Sequence, residues 1–186
     1  MLDGLLPSFQ NLIENFTEKL NVTGIRYRLI NGYRSGIEQA KLWRQGRSTA
    51  LIMRVREELR AKGEKVISGF ILDAGPQTNP YIVTHALPFQ SPHQFGCALD
   101  LVPYYGNLLL WDNKLNQKSS DVDKLWKTCG QLSKECGLEW GGDWRYFKDR
   151  AHYQHPQYEK KKKQLYRLAI TNPNLSAEEV ERVLGV

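Results

Sequence analysis

The amino-acid sequence predicts an α+β fold in which helices flank a small antiparallel or mixed sheet. Helix-like and strand-like patterns of apolar residues both occur, but they do not alternate as regular βαβ units. The 186 residues suit one domain and can bury a full core. A hydrophobic content of 41% and a charged content of 25% are typical of a globular protein in water.

The first predicted elements are a helix over residues 7–20 and a strand over residues 24–30. In the helix, apolar residues recur at helical spacing and therefore share one face. These are Phe9, Leu12, Ile13, Phe16 and Leu20. In the strand, apolar residues alternate with Arg26 and Arg28, as expected when one side is buried.

Two further helices are predicted from their N-terminal caps. Ser35 and Glu38 have the spacing of a capping box, and this helix is expected to end near Gly46. Ser48 or Thr49 is expected to cap the helix that follows.

The middle of the chain is predicted to contain a loop and two strands. Residues 69–80 carry Gly, Pro and Asn, which is typical of a loop, and residues 81–84 are predicted as a short strand. A second strand is predicted over residues 97–102. Because side chains alternate along a strand, Asp100 is expected on the opposite face from Cys97.

Two helices are predicted in the last third of the chain. One begins around Ser120 and ends at Gly137, a residue type favoured just after a helix. The other is opened by the capping-box pair Ser176 and Glu179. The lysine run at residues 160–163 has two interpretations, either the solvated start of a helix or a patch that binds an anionic partner.

The formal net charge of +6 suits nucleic acid, an anionic membrane face or an anionic cell-wall polymer. The chain lacks the arginine and aromatic interleaving of single-strand binders and any apolar run long enough for a bilayer. Its N-terminal residues do not resemble a secretory signal, so we expect synthesis in the cytosol. Cys97, Cys129 and Cys136 are expected to be free thiols that pack in the core.

Four side chains form the most informative pattern in the sequence. His93 and Asp100 flank Gly96, and Asp149 and His152 follow further along the chain. Gly96 allows the tight backbone path that lets His93 and Asp100 converge. Two imidazoles and one carboxylate with an open fourth position are typical of a catalytic zinc site, and a spare carboxylate can move protons.

These residues lie in motifs that resemble the D-alanyl-D-alanine carboxypeptidase superfamily of zinc peptidases. Within it, the L-alanyl-D-glutamate endopeptidases, which include many phage endolysins, are the most similar branch. The motifs are Ser91-x-His93-x-x-Gly96-x-Ala98-x-Asp100, Trp140-Gly141-Gly142-Asp143-Trp144 and Asp149-x-x-His152, with Gly32-Tyr33-Arg34-Ser35, Glu38-Gln39-Ala40 and Gln45-Gly46-Arg47-Ser48 upstream. The resemblance covers residues 31–154 and implies a zinc site borne by the small sheet.

The resemblance implies that His93, Asp100 and His152 bind one zinc ion per chain. It assigns the general base to Asp149. The carboxypeptidase branch has Glu at this position, so an aspartate favours the endopeptidase branch.

Other residues receive supporting roles from the same resemblance. Arg34 matches an arginine that contacts the substrate carbonyl or carboxylate, and Ser91 matches a serine that supports the metal site. His85, where relatives more often have a small polar residue, is a candidate substrate contact or hydrogen-bond donor behind the ligands. His155 is expected on the surface. Three aromatic residues either wall the substrate groove or pack in the scaffold; these are Trp140, Trp144 and Tyr153.

The function implied is zinc-dependent hydrolysis of peptidoglycan stem peptides by an L-alanyl-D-glutamate endopeptidase in cell-wall lysis. Residues 1–158 are expected to form the catalytic domain and residues 159–186 a basic helical tail that is not an independent domain. One alternative is a D-alanyl-D-alanine carboxypeptidase or dipeptidase with the same site. A second is a non-catalytic, zinc-containing wall-binding module, and a third, a nucleic-acid-binding protein, rests on charge alone. We expect a monomer that acts on peptidoglycan after release, as in phage or prophage lysis.

Overall fold

The computed structural model describes residues 2–111 and 120–186, and the predicted α+β class is confirmed. The helices in this part of the chain are α1 (Pro7–Val22), α2 (Gly36–Arg44), α3 (Thr49–Ala61), α4 (Lys65–Asp73), α5 (Ser120–Glu135), α6 (Tyr158–Ala169) and α7 (Ala177–Leu184). The strands are β1 (Tyr27–Asn31), β2 (Ala98–Tyr105), β3 (Leu108–Leu109), β4 (Glu139–Trp140) and β5 (His152–Gln154). Two short 3₁₀ turns cover Pro92–Phe95 and Gly141–Asp143.

The chain divides into two compact units. The first consists of Met1–Tyr33 and Gly96–Tyr158 and contains the five strands together with α1 and α5. The second consists of Arg34–Phe95 and Glu159–Val186 and is built from helices. The predicted domain boundary at residue 158 stays a prediction.

The sheet of the first unit is antiparallel, with strand order β1-β2-β5-β4 and with β3 paired to β2. The predicted alternation along β2 is confirmed. Leu99 lies opposite Tyr153 on β5, whose ring is 4.9 Å from that of Phe16 on α1. Asp100 lies opposite His152, so the other face of the same two strands presents polar groups.

Apolar side chains of α1 form one side of the core of this unit. Phe9, Ile13, Phe16 and Leu20 are buried, as the helical spacing predicted. Fully burying one such side chain contributes about 1.5–3 kcal/mol, so this stripe is sufficient to fix the helix against the sheet.

Side-chain caps begin three helices of the second unit, α2, α3 and α7, as predicted. Ser35 and Glu38 form both hydrogen bonds of a capping box at α2, and Ser176 and Glu179 do the same at α7. Ser48 rather than Thr49 caps α3, since its side chain accepts from the amide of Leu51.

Two local predictions for the middle of the chain are wrong. Residues 69–80 are not all loop, because α4 continues to Asp73 and buries Ile67 and Ile71. Residues 81–84 do not form a strand, and Tyr81, Ile82 and Val83 are exposed. The amide of Tyr81 and the carbonyl of Thr84 are bonded by the side chains of Asn79 and Arg47 instead of by a neighbouring strand.

The predicted surface position of His155 is also wrong. Its side chain is 3% exposed, and its ring lies 6.4 Å from that of Phe9. Its amide donates to the carbonyl of Cys97, which extends the pairing of β2 and β5 by one more bond.

No helix in residues 2–111 or 120–186 combines the length and the apolar content that crossing a bilayer requires.

Candidate metal centre

His93 lies in a buried 3₁₀ turn that neighbouring side chains define. Ser91 and His93 are both buried. Gln94 accepts the amide hydrogen of Phe89 at 2.5 Å, which closes the preceding bend. The carbonyl of His93 accepts from the amide of Arg34 at 3.1 Å, so the backbone of the turn is fixed from two directions.

Gly96 connects this turn to β2 and has the backbone conformation that the sequence predicted. Its φ is +64°, in the left-handed region where only glycine is unstrained. A β-carbon at this position would lie 2.5 Å from the carbonyl oxygen of Gly4. Both features exclude a side chain here.

Asp100 and His152 face each other across the register of β2 and β5. His152 Nδ1 lies 3.3 Å from Asp100 Oδ1. The other carboxylate oxygen of Asp100 accepts from Asn31 Nδ2 at 3.0 Å. On its far side, His152 Nε2 lies 3.0 Å from Gln154 Oε1. Strand register therefore places the carboxylate and the imidazole side by side with their outer edges already bonded.

The three predicted ligands come together. One nitrogen each from His93 and His152 and a carboxylate oxygen of Asp100 all lie within 4.8 Å of one another. Two imidazoles and one carboxylate match the donor set that zinc prefers, since zinc takes three protein ligands and leaves a position open in catalytic sites. The donor chemistry therefore fits the implied cofactor.

Asp149 lies at the start of a tight turn into β5. Its carbonyl accepts from the amide of His152 at 3.3 Å, and its own amide donates to the carbonyl of Gly141 at 3.1 Å. Trp140 Nε1 donates to the carbonyl of Arg150 at 2.8 Å. The side chain of Asp149 is exposed, so a carboxylate sits in solvent one short turn from a predicted ligand.

The carboxylates around His152 govern its protonation. Burial disfavours the imidazolium and by itself lowers the pKa of His152. The hydrogen bond to Asp100 and the charges of Asp100 and Asp149 act in the opposite direction, and the net pKa is raised. The two carboxylates therefore favour positive charge beside this ring.

Arg34 and His85 belong to the second unit, where α2 organises both. Arg34 Nη1 donates to Gln39 Oε1 at 2.9 Å, and Gln39 Nε2 donates to the carbonyl of Ala86 at 2.8 Å. Arg47 Nη2 donates to the carbonyl of Thr84 at 2.9 Å. The backbone on each side of His85 is therefore attached to α2 or to the residues that follow it, while the side chain of His85 is exposed.

The three aromatic candidates have different surroundings. Tyr153 is fully buried on the core face of β5, opposite to His152. Trp140 is buried, and the space for its indole exists because residue 130 is a glycine. Trp144 is half-buried, with its ring 5.1 Å from that of His152. Only Trp144 of the three lies beside the candidate metal centre.

Asn31, Gln154 and Glu139 also belong to this centre and were absent from the sequence prediction. Gln154 had a usable signal, because it is two residues after His152 in a strand and so shares its face. Asn31 and Glu139 had none, since their positions depend on the register between strands that are distant in sequence.

Comparison with known proteins agrees with this geometry. Residues 84–155 match the family described as D-alanyl-D-alanine carboxypeptidase. The matched segment is 72 residues long, fewer than half of the chain. It contains the three candidate ligands and Asp149, so the predicted resemblance is confirmed where the metal centre lies.

A match to one relative covers more of the chain. The peptidoglycan L-alanyl-D-glutamate endopeptidase CwlK of Bacillus subtilis is 28% identical over 130 residues, or 69% of this chain and 60% of that protein. The alignment thus leaves two fifths of CwlK unmatched.

Two solved structures are also similar. The L-Ala D-Glu endopeptidase ChiX of Serratia marcescens is 21% identical over 86% of each chain, with a TM-score of 0.44. The vancomycin resistance D,D-pentapeptidase VanY, as a variant in complex with Zn(II), is 16% identical over 95% of this chain and 83% of its own, with a TM-score of 0.43. Because both TM-scores are below 0.5, these likenesses do not bear on the function of this chain.

Proposed function

We propose that this chain is a zinc metallopeptidase that hydrolyses an amide bond in the stem peptide of peptidoglycan. The observation that carries the proposal is the convergence of His93, Asp100 and His152 within 4.8 Å, with the exposed Asp149 one turn away from His152. The family of residues 84–155 and the similarity to CwlK both support a peptidoglycan substrate.

In this proposal His93, Asp100 and His152 hold one zinc ion. When bound, zinc supplies a Lewis acid that polarises the amide carbonyl and makes water a better nucleophile near neutral pH. The hydrogen bonds of Asn31 to Asp100 and of Gln154 to His152 keep two of the three ligands in place before the metal arrives.

Asp149 moves the protons of the reaction. Its carboxylate accepts a proton from the attacking water as the carbon–oxygen bond forms. It then gives this proton to the amine nitrogen as the carbon–nitrogen bond breaks, which leaves the carboxylate ready for another cycle. The exposed position of Asp149 lets water and substrate reach it.

Arg34 stabilises the negative charge that develops on the carbonyl oxygen. A guanidinium is charged at every pH at which the protein is folded, and it presents several donors to an oxyanion. Gln39 restricts the guanidinium by accepting from Nη1. Loss of one such electrostatic donor typically lowers the rate by about 10²–10³-fold.

The bond we propose to be cut is that between L-alanine and D-glutamate. The identity of Asp149 supports this choice, because the resembling carboxypeptidase branch has Glu there, and the similarity to CwlK supports it as well. Cleavage of terminal D-alanine by a carboxypeptidase or dipeptidase is the second candidate, and the same metal centre suits it. The net charge of +6 favours approach to an anionic wall.

The biological setting we propose is lysis of a bacterial wall by a monomeric enzyme. Its support is the resemblance of the motifs to a branch that includes many phage endolysins. The lysine run of α6 is then available to contact the polyanionic wall, since Lys160, Lys162 and Lys163 are exposed.

Digestion of purified peptidoglycan tests the reaction and the bond together. Mass spectrometry of the products is expected to show new N-terminal D-glutamate after zinc-loaded protein is added. Release of free D-alanine without that product would assign the chain to the carboxypeptidase alternative. Intact stem peptides would leave only a binding module.

Substitution of Asp149 by Asn tests the base. The variant is expected to bind one zinc per chain and to lose cleavage. Asp143→Asn is the matched control, because Asp143 is an exposed acid of the same segment that pairs with Lys134 at 2.8 Å. Near-normal turnover by Asp149→Asn would remove Asp149 from this role.

A further inference from the structure

A chain of hydrogen bonds runs along the polar face of the sheet to His152. Glu139 on β4 and Gln154 on β5 are opposite each other in register. Gln154 Nε2 donates to Glu139 Oε2 at 2.9 Å, and Gln154 Oε1 lies 3.0 Å from His152 Nε2. Gln154 is only 1% exposed, so water does not compete for its amide.

The chemistry of Glu139 determines which way the Gln154 amide points. An ionised carboxylate has acceptors and no donor, so it requires the NH₂ end of the amide. The carbonyl end of Gln154 must then face His152. The opposite orientation would place two oxygens against each other at Glu139 and two nitrogens against each other at His152.

The amide orientation in turn determines the tautomer of His152. A carbonyl oxygen only accepts, so Nε2 must carry a hydrogen. In a neutral imidazole the lone pair is then on Nδ1, which lies 3.3 Å from Asp100 Oδ1. Two electron-rich atoms at this separation repel each other, and a cation bound between them turns this repulsion into attraction.

We infer that Glu139 and Gln154 are positioning residues that fix His152 as the Nε2–H tautomer and so direct Nδ1 to the metal. This inference deepens the proposed function, because it assumes that the centre of His93, Asp100 and His152 holds zinc. It accounts for the presence of a polar glutamine at a fully buried strand position, and it assigns a positioning role to Glu139, which is not itself a candidate ligand.

The first test of this inference measures the affinity of the protein for zinc. Zinc is titrated into metal-free protein against a chromophoric chelator. Gln154→Leu is expected to weaken zinc binding by about 10–100-fold, the usual effect of removing the outer partner of a metal-bound histidine. Glu139→Leu is expected to shift affinity in the same direction. Glu139→Gln is expected to weaken binding less than Glu139→Leu, because its amide can still accept from Gln154 but can also present a donor to it.

In this inference Glu139 acts on His152 only through Gln154, and a double variant tests that directly. Glu139→Leu combined with Gln154→Leu is expected to bind zinc no more weakly than Gln154→Leu alone. Gln131→Leu is the matched control, since Gln131 donates to Glu135 at 3.2 Å in an equivalent glutamine–glutamate pair on the exposed surface of α5. This control is expected to leave affinity unchanged.

The tautomer itself is read by nitrogen NMR of metal-free protein at a pH where the ring is neutral. Wild type is expected to show hydrogen on Nε2, and Gln154→Leu and Glu139→Gln a mixture of tautomers, because an amide at residue 139 can satisfy either orientation of Gln154. Hydrogen on Nδ1 in wild type overturns the inference, as does wild-type zinc affinity in Gln154→Leu. If Gln154→Leu does not fold, Glu139→Leu provides the same comparison, because Glu139 is only half-buried.

These outcomes separate the inference from the proposed function. The hydrolase proposal alone is contradicted if His152 is the Nε2–H tautomer and zinc binding depends on Glu139 and Gln154, but the protein leaves peptidoglycan intact. A protein that cleaves peptidoglycan but has unchanged zinc affinity in both leucine variants contradicts the inference alone.

Discussion

Gly141 touches the backbone of Asp149 so closely that a β-carbon on Gly141 would lie 2.5 Å from the Asp149 carbonyl oxygen. The same β-carbon would lie 3.1 Å from Cβ of His152. The amide of Asp149 donates to the carbonyl of Gly141, so this contact is part of the turn that presents both residues. The candidate base and one candidate ligand therefore depend on a position without a side chain.

Substitution of Gly141 by Ala is expected to push the Asp149–His152 turn away and weaken the metal centre. Overpacking at a rigid backbone contact costs about 1–3 kcal/mol. We expect a loss of this size in the free energy of unfolding by urea, together with weaker zinc binding. Gly69→Ala is the control. It has open space around its β-carbon in α4 and is expected to stabilise the protein by about 0.5–1 kcal/mol.

Equal stability of wild type and Gly141→Ala, with unchanged zinc affinity, would show that the turn adjusts freely. A lower free energy of unfolding with unchanged zinc affinity would mean that Gly141 contributes to packing but not to the metal centre.

Local signals in the sequence predicted much of the fold. The capping boxes at Ser35 and Ser176 depend on residues three apart, and both form. The face of Asp100 follows from alternation within one strand, and its partner His152 lies directly opposite. Such features require no knowledge of distant contacts, which is why they could be predicted.

Tertiary contacts override local signals where the prediction was wrong. Gly69 suggested a loop, but burial of Ile67 and Ile71 keeps α4 helical there. Residues 81–84 have strand-like composition, yet Arg47 binds the carbonyl of Thr84 and Asn79 accepts from the amide of Tyr81. Side-chain bonds to the backbone thus replace a strand partner.

The residues of the metal centre likewise include some that the sequence could predict and some that it could not. His93, Asp100 and His152 could be predicted because their residue types are those that bind zinc. Glu139 and Asn31 are ordinary polar residues, and only strand register brings them to the centre.

The cysteines provide a pH-dependent prediction. Burial raises the pKa of Cys129 to about 12, and it also raises the pKa of Cys136, where the nearby Lys19 opposes the shift. Because the thiolate is the reactive form, labelling must increase as pH rises.

Mass spectrometry of native protein treated with iodoacetamide at pH 7–10 checks this order. Cys136, which is half-buried, is expected to react first, while the buried Cys97 and Cys129 react only after unfolding. Zinc is expected to remain bound when Cys136 is modified. Release of zinc on labelling would reveal a thiol ligand, and rapid labelling of native Cys129 would contradict its burial.

Gln39 offers a test of how Arg34 is held in place. It is fully buried, and its amide joins the guanidinium of Arg34 to the carbonyl of Ala86. Gln39→Leu removes a partner from each, which costs about 1–3 kcal/mol of stability for the buried polar groups left behind. It is also expected to lower kcat on stem peptides, up to the roughly 10²–10³-fold cost of losing an oxyanion donor, without loss of zinc.

Gln45→Leu is the matched control for this effect. Gln45 is also buried, and it accepts from the amides of Thr78 and Asn79. It therefore attaches the segment between α4 and Pro92, which also contains Ala86, but it does not bond to Arg34. The two leucine variants are expected to lose similar stability, but only Gln39→Leu is expected to lose kcat. Gln39→Glu keeps an acceptor for Arg34 and is expected to recover most of the rate. Equal losses of kcat in both leucine variants would mean that Gln39 acts by holding the segment between α4 and Pro92 and not by holding Arg34.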